Sequence, residues 1–158
     1  MPTYFYESVI GRYYIKEEHG FITRVCFQND VLPEDETLES PLIKEAQSQL
    51  NAYFTKKLQV FSLPLAPEGT PYMKKIWEHL CQIPYGETAS YSEIAERAGN
   101  PKAARAVGLA NNKNPIPIII PCHRVVGKNG KLVGYRGGLD MKELLLNLEQ
   151  KCIRSEAP

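Results

Sequence analysis

The stretch NPIPIIIPCHRVVG, residues 114–127, places three prolines and a run of isoleucines directly in front of a Cys-His-Arg sequence. Proline fixes its own backbone angle φ and restricts the residue before it. Isoleucine favours extended, buried backbone. The stretch therefore predicts a rigid, water-free segment that holds the thiol of Cys122 in a fixed position.

Length and composition are ordinary for a globular chain. The 158 residues, 43% hydrophobic and 23% charged, are enough for one domain or two small ones. No apolar run is long enough to cross a bilayer, and the N-terminus lacks the basic start and apolar core of a signal peptide. We expect a cytoplasmic protein, or a nuclear one if the source is eukaryotic, with no membrane contact.

The four cysteines form no CxxC motif and no zinc-finger spacing. In a reducing compartment they are predicted to be free thiols. Cys26 and Cys81 lie in apolar patterns and are interpreted as small buried residues, whereas Cys152 lies in a polar tail. Cys122 is the remaining candidate for chemistry.

Charge is distributed unevenly along the chain. The net charge is +1, but residues 1–69 carry six basic and ten acidic side chains, and residues 70–158 carry thirteen and eight. Between Arg97 and Leu139 there are eight basic residues and no acidic one. An acid-free stretch favours an anionic partner, of which nucleic acid is the default; the alternative is a basic surface that binds nothing.

The first half has the pattern of a small α+β unit. Three strands are predicted in YFYESVI, YYIKE and FITRVCF, the last two joined by a hairpin turn at EHG. A helix follows, with Ser40 as its N-cap and Pro41 as its first residue. Its predicted buried positions are Leu42, Ala46, Leu50 and Phe54. The segment QVFSLPLAPEGTP, residues 59–71, predicts a short strand followed by a linker.

The second half has the pattern of a helix-turn-helix. A helix is predicted from Tyr72 to about Ile83, and SYSEIAERAG opens with a capping box and ends at Gly99. The next helix is predicted over residues 101–112, capped by Asn100. One of its faces carries Lys102, Arg105, Leu109 and Asn112, and beside it runs a stripe of small residues, Ala104, Gly108 and Asn111.

Small residues let the backbone of this second helix approach a partner closely, with Arg105 projecting from it. That arrangement suits a narrow groove and a distorted duplex. The alternative is a helix that packs tightly against its neighbours and leaves Arg105 in solvent.

A thiol reacts as the thiolate, so Cys122 needs a group that takes its proton. His123 is adjacent, but neighbours on extended backbone point apart, so the pair requires bent backbone or an intervening water. Asn114 is a candidate for fixing the loop. In the last helix, Glu149 is predicted to sit at the helix end, where the dipole disfavours a carboxylate, either orienting His123 or simply exposed to solvent. The same helix is predicted to bury Met141, Leu144, Leu145 and Leu148.

Residues 83–149 resemble the O6-alkylguanine-DNA alkyltransferases, also called methylated-DNA–protein-cysteine methyltransferases. The motif PCHRVV preceded by NPIPIII carries the resemblance, together with GNPKAARAVG. The fold it implies is an N-terminal ribonuclease-H-like α/β domain, residues 1–66, followed by a winged-helix-like domain, residues 67–158. The overall class is α+β.

The resemblance implies a direct-reversal DNA repair protein that moves an alkyl group from O6-alkylguanine, and also from O4-alkylthymine, to its own thiol. Cys122 is the implied acceptor, His123 takes its proton through a water, and Glu149 orients His123. Asn114 supports the loop, and Tyr91 rotates the target phosphate and protonates the leaving guanine. A thioether is not readily hydrolysed, so the protein is expected to act once.

The resemblance also implies how the protein meets its substrate, double-stranded DNA bound through the minor groove. Arg105 is implied to enter the duplex and fill the space left by the flipped base. The other implied DNA contacts are Tyr91, Ser92, Asn100, Lys102, Ala104, Gly108 and Lys128. The implied guanine pocket is lined by Pro117, Val125, Tyr135, Arg136 and Gly137.

One departure from the family concerns metal. Some relatives bind zinc through N-terminal cysteines and histidines, whereas here that region offers only Cys26 and His19 ahead of the linker. We therefore expect no metal. We also expect no cofactor and a monomer.

Three other interpretations remain at this point. An alkyltransferase-like protein binds damaged DNA without repair, but lacks the reactive thiol. A helix-turn-helix regulator needs no Cys-His pair and binds specific sequences. A Cys-His hydrolase turns over an ester or amide and ignores DNA.

Overall fold

The computed structural model describes residues 2–28 and 36–156, with no side-chain description for Glu36 or residues 151–156. Its contacts divide the chain into two compact units, Met1–Glu68 and Gly69–Pro158. No helix among the described residues is both long and apolar enough to span a membrane.

The first unit is a four-stranded sheet with one helix against it. Its strands are β1 (Pro2–Ser8), β2 (Gly11–Glu18), β3 (Phe21–Phe27) and β4 (Glu36–Thr37). The sheet order is β3-β2-β1-β4, with β1, β2 and β3 antiparallel and β4 parallel to β1. The three predicted strands are confirmed, and so is the turn between β2 and β3 at His19 and Gly20, which adopt positive φ.

The helix α1 (Pro41–Phe54) packs on β1, β2 and β3. Ser40 caps it as predicted, since its side chain accepts a hydrogen bond from the amide of Ile43. The predicted buried face was wrong at both ends. The residues that α1 buries are Ile43, Ala46, Leu50 and Tyr53. A strict spacing of four drifts around a helix of 3.6 residues per turn, so a real stripe alternates steps of three and four.

Two further predictions for the first unit concern Cys26 and the segment that follows α1. Cys26 is buried, as expected. The short strand predicted in QVFSLPLAPEGTP is wrong: this segment forms only an isolated bridge, between Leu65 and Ile22. Pro64 lies beside this bridge and has no amide hydrogen with which to extend a ladder.

The second unit packs three helices against one another, α2 (Pro71–Cys81), α3 (Tyr91–Arg97) and α4 (Ala104–Asn112). A short strand β5 (Ala89–Ser90) precedes α3 and pairs in parallel with β6 (Val125–Val126). A single turn spans Lys128–Gly130, and the last helix, α5, runs Leu139–Glu156. Trp77 of α2 is buried and its indole N–H donates to the carbonyl of Ala110 at 2.9 Å, which fixes α4 against α2.

The helix-turn-helix is confirmed, with one shift. The predicted capping box of α3 is present between Ser90 and Glu93. The second helix, however, begins at Ala104 rather than Pro101, because Asn100 does not cap it. The Asn100 side chain instead accepts from the amide of Lys102 at 3.1 Å, a local turn that delays the helix.

Two predictions about burial in this unit were wrong. Cys81, the last residue of α2, is exposed. Among residues 139–150 of α5, those buried beside Leu145 are Lys142 and Glu149, while Met141, Leu144 and Leu148 are only half-buried. Glu149 is not at a helix end, since α5 continues to Glu156. Its unusual cost is therefore burial of a charge, not an unfavourable helix dipole.

Candidate active site

The thiol of Cys122 lies at the start of a single 3₁₀ turn, Cys122–Arg124, and is 5% exposed. The turn supplies the bent backbone that adjacent cysteine and histidine require. The Cys122 amide donates to the carbonyl of Ile120 at 2.8 Å. The isoleucine run before it is buried, as predicted, but is a tight turn rather than extended backbone. Ile118 has φ of 74°, an outlier for a β-branched residue, and so marks local backbone strain.

Asn114 holds this turn from within. Its side-chain nitrogen donates to the carbonyl of Ile120 at 2.8 Å, and its oxygen accepts from the amide of Ile116 at 3.0 Å. Asn111 was placed by sequence in the stripe of small residues, which is wrong. It is buried, and its side chain donates to the carbonyl of Cys122 at 3.3 Å.

A buried relay lies behind the thiol. Nε2 of His123 is 2.6 Å from a carboxylate oxygen of Glu149, and both side chains are almost fully buried. Arg124 binds the same carboxylate through Nε at 2.9 Å and Nη2 at 3.1 Å, while its Nη1 donates to the carbonyl of Ile83 at 2.7 Å. The amide of Gly86 donates a further bond to Glu149 at 3.1 Å. The structure thus brings Glu149 to His123 and excludes the solvent-exposed alternative.

The charges within the relay follow from these contacts. Burial alone would raise the pKa of Glu149, but hydrogen bonds and charge from His123 and Arg124 lower it to about 2. Burial lowers the pKa of His123, with Glu149 opposing that shift. The resting pair is therefore an ionised carboxylate and a neutral imidazole. Because Nε2 is committed to the carboxylate, Nδ1 is the nitrogen left to accept a proton.

The thiol itself rests in its protonated form. Burial raises the pKa of Cys122, and a hydrogen bond from Asn114 and the charges of Arg136 and Lys142 act against that rise. Burial raises the pKa of Tyr135 well above its ordinary value, and the charge of Cys122 raises it further. Thiolate formation therefore requires a base, but several groups are already placed to stabilise it.

Lys142 and Tyr91 hold the segment in front of α5. The ammonium of Lys142 donates to the carbonyls of Val133 at 2.9 Å and Gly134 at 3.2 Å. The hydroxyl of Tyr91, at the start of α3, donates to the same Val133 carbonyl at 3.0 Å. Burial lowers the pKa of Lys142 to about 8. This shared carbonyl links the helix-turn-helix to the segment that carries Tyr135 and Arg136.

A second region is an open groove on the outer side of α4. It is lined by Tyr91, Lys102, Ala103, Arg105, Ala106, Gly108, Leu109 and Asn112. Arg105 and Lys102 are exposed, and Leu109 is 58% exposed, so this helix face is not covered by its own unit. The α carbon of Gly108 lies against the ring of Tyr91, where an added Cβ would meet ring carbons at 3.7 Å.

The remaining residues predicted for the site fall into two groups. Ser92, Asn100 and Lys128 are exposed and Ala104 is half-buried, as residues on a binding surface can be. Among the predicted pocket residues, Pro117 and Val125 are buried, Tyr135 and Gly137 are half-buried and Arg136 is exposed.

Sequence reasoning missed Arg124 and Lys142. Arg124 is one of the eight basic residues that were counted as favouring an anionic partner, yet it is buried and paired with Glu149. Lys142 was missed because the buried face of its helix was predicted only from the large apolar residues. A signal was available in α5, since Lys142, Leu145 and Glu149 follow one another at steps of three and four and so share a face.

Comparisons with known proteins define the class. Residues 71–151 match the family model described as 6-O-methylguanine DNA methyltransferase, DNA binding domain. Residues 3–67 match the ribonuclease-like domain of the same class. The fold is thus a ribonuclease-like domain followed by a DNA-binding domain, as expected.

Individual relatives make the assignment specific. The methylated-DNA–protein-cysteine methyltransferase of Methanosarcina acetivorans is 57% identical over 151 residues, covering 93% of this chain and 97% of the relative. The constitutive enzyme of Bacillus subtilis is 46% identical and covers 91% and 92%. The crystal structure of Mycobacterium tuberculosis OGT in complex with DNA matches with a TM-score of 0.91, at 42% identity over 96% of this chain and 94% of that one. The chain belongs to the methylated-DNA–protein-cysteine methyltransferase family.

Proposed function

We propose that this chain repairs duplex DNA by transferring the alkyl group of O6-alkylguanine, and of O4-alkylthymine, irreversibly to Sγ of Cys122. One observation carries the proposal. The buried thiol of Cys122 is directly followed by His123, whose Nε2 lies 2.6 Å from the ionised carboxylate of Glu149. The family assignment supports it, since the relatives carry the name of this activity.

The thiol is activated by the neutral imidazole. His123 takes the proton of Cys122 at Nδ1 through one water, and the imidazolium that results is stabilised by Glu149. Arg124 keeps Glu149 ionised and fixed, so the carboxylate does not itself take the proton. Asn114 stabilises the thiolate directly and also holds the turn that presents it.

The transfer is a displacement at the alkyl carbon. The bond from Sγ to that carbon forms as the bond from the carbon to guanine O6 breaks, and the electron pair stays with the guanine. Tyr91 supplies the proton that the leaving base takes up. Its hydroxyl donates to the carbonyl of Val133 in the free protein, so it must exchange that partner for the base.

Reaching the lesion requires the nucleotide to leave the stack. We assign this task to the groove on α4, where Arg105 enters the duplex and Gly108 and Ala104 let the helix backbone approach the minor groove. Ser92, Asn100, Lys102 and Lys128 contact the DNA backbone in this proposal. The pocket for the flipped base is formed by Pro117, Val125, Tyr135, Arg136 and Gly137.

All the proposed reactive residues lie in residues 67–158, which we propose as the alkyltransferase domain, with residues 1–66 as a separate N-terminal domain. The curated relatives named above come from an archaeon and a bacterium, whose DNA lies in the cytoplasm, and this supports a cytoplasmic site of action.

Stoichiometry tests the function. With O6-methylguanine duplex in excess, guanine should be restored until one lesion has been repaired per protein molecule, and then no further. Continued turnover would contradict irreversible transfer to the protein. Binding without any restored guanine would make the chain a damage-binding protein instead.

A further inference from the structure

Two donors from different helices meet on one carbonyl oxygen of the second unit. The ammonium of Lys142, on α5, donates to the carbonyl of Val133 at 2.9 Å, and the hydroxyl of Tyr91, on α3, donates to the same oxygen at 3.0 Å. Lys142 also donates to the carbonyl of Gly134 at 3.2 Å. The ammonium and the hydroxyl cannot be further apart than the sum of their distances to the shared oxygen. A cation therefore lies beside the hydroxyl of Tyr91.

Tyr91 and Lys142 are both held in place around this carbonyl. Lys142 is fully buried. A Cβ added to Gly134 would lie 3.8 Å from the hydroxyl oxygen of Tyr91, and one added to Gly108 would lie 3.7 Å from its ring. Tyr91 thus packs against α4 on one side and against the segment before α5 on the other. In the proposed reaction its hydroxyl must nevertheless give up the Val133 carbonyl for the base.

We infer that Lys142 is a positioning residue for Tyr91, which lets the hydroxyl leave the carbonyl of Val133 and give its proton to the leaving base. The inference rests on the proposed transfer to Cys122 and deepens its protonation step. In that step the proton moves from the oxygen of Tyr91 to the base. The electron pair of the O–H bond stays on the oxygen as a phenolate, which regains a proton from solvent after the base has left.

Lys142 lowers the cost of releasing the hydroxyl. A carbonyl oxygen that is shielded from water and loses its hydrogen bond costs free energy. The oxygen of Val133 has two lone pairs, and Lys142 remains on it when Tyr91 turns to the base. The exchange therefore does not leave this carbonyl without a partner.

The charge of Lys142 acts in the same direction. Burial lowers the pKa of Lys142 to about 8, so the side chain is still a cation at neutral pH. A positive charge within about 4–6 Å of an acidic group favours its ionised form. The ammonium therefore stabilises the phenolate that forms on Tyr91 as the proton is transferred.

The experiment measures single-turnover methyl transfer at saturating O6-methylguanine duplex, so that differences in DNA affinity do not enter. The variants are Lys142→Met, Tyr91→Phe and the double variant, with Lys131→Met as the control for losing an exposed lysine from the same segment. Each transfer rate is divided by the rate at which iodoacetamide alkylates Cys122 of the same variant, followed by peptide mapping. Iodide leaves without a proton, so this ratio separates protonation of the leaving base from the reactivity of the thiol.

We expect Lys142→Met to lower this ratio about threefold to tenfold when Tyr91 is present, the scale of a typical hydrogen bond. In the Tyr91→Phe background it should have little further effect, because no hydroxyl remains to be released. Lys131→Met should keep the wild-type ratio. If Lys142→Met does not fold, Lys142→Gln takes its place in the same cycle, since it keeps an N–H donor and removes the charge.

A factor of equal size in both backgrounds would overturn the inference, because Lys142 would then act independently of Tyr91. A larger factor in the Tyr91→Phe background would overturn it too. A lysine that is only structural matters most where the carbonyl of Val133 has already lost its other donor. If the wild-type protein does not methylate Cys122 at all, the proposed function fails instead.

Discussion

The carboxylate of Glu149 is shared between His123 and Arg124, at 2.6 Å from Nε2 of the histidine and 2.9 Å from Nε of the arginine, in the interior of the second unit. His123 and Arg124, which are adjacent in one short turn, thus bind the same carboxylate. Glu149 lies on α5, seven residues after Lys142. The arrangement makes the base behind Cys122 part of the core, so its chemistry and the stability of the unit are coupled.

That coupling predicts a large stability cost for Arg124→Ala. Removing the guanidinium leaves Glu149 buried with less of its charge balanced, and breaking a buried pair in this way costs about 3–5 kcal/mol. The free energy of unfolding in denaturant measures it. The control is Arg97→Ala, whose ion pair with Glu93 is exposed and 3.7 Å long, and which should change stability by no more than about 0.5 kcal/mol. Equal effects of the two variants would contradict the role given to Arg124.

The relay also predicts a dependence of stability on acid pH. The pKa of Glu149 falls from its ordinary 4.5 to about 2 on folding, so its ionised form stabilises the folded state. That contribution is complete above pH 4.5 and is lost as the pH falls from there towards 2. The difference in unfolding free energy between wild type and Glu149→Gln should therefore be large at neutral pH and shrink at pH values within that window.

A matched control for this titration is Glu143→Gln, an exposed position on the same helix. The difference in unfolding free energy between wild type and Glu143→Gln should stay small across the same pH range. A gap between wild type and Glu149→Gln that does not narrow in acid would mean that the carboxylate charge does not stabilise the fold.

Base extrusion predicts a substrate-dependent effect of Arg105→Ala. Only a duplex must be opened, so transfer from duplex DNA should slow more than transfer from free O6-benzylguanine. Lys102→Ala should instead weaken duplex binding and reduce its salt dependence by about one unit of slope. If Arg105→Ala slows both substrates equally, the arginine acts in the chemistry or the fold.

The proposed base pocket predicts acceptance of large alkyl groups. In the proposed pocket, Gly137 contributes no side chain and Pro117 is apolar, so preincubation with free O6-benzylguanine should inactivate methyl transfer. Gly137→Trp should resist the inhibitor and still accept methyl from DNA. Full activity of the wild-type protein after long exposure to excess inhibitor would reject an open pocket.

The sequence predicted the elements whose signals are local. The capping box of Ser90 and Glu93 fixed the start of α3, and the Ser40 cap fixed α1. The start of α4 was misplaced because Asn100 has two local uses, capping a helix or closing a turn, and only the packed structure selects one.

The site residues that lie in one contiguous motif were predictable from the sequence. Those that reach the site only through folding were less so. Cys122, His123 and Asn114 stand in one stretch, and the structure groups them. Arg124 looked like a surface cation, because no local pattern shows that an arginine will bury against a carboxylate 25 residues away. Lys142 was missed for a similar reason. Its partners are backbone carbonyls, which every residue carries, so the sequence does not identify them.

The central claim is that Cys122 receives the alkyl group, and intact mass measures it most directly. After mixing with a duplex that carries one O6-methylguanine, the wild-type protein should gain the mass of one methyl group, and peptide mapping should place that group on Cys122. Cys122→Ser should bind the duplex nearly as well and gain nothing. A methyl group found on Cys26 or Cys81, or methyl transfer by Cys122→Ser at a comparable rate, would contradict the account.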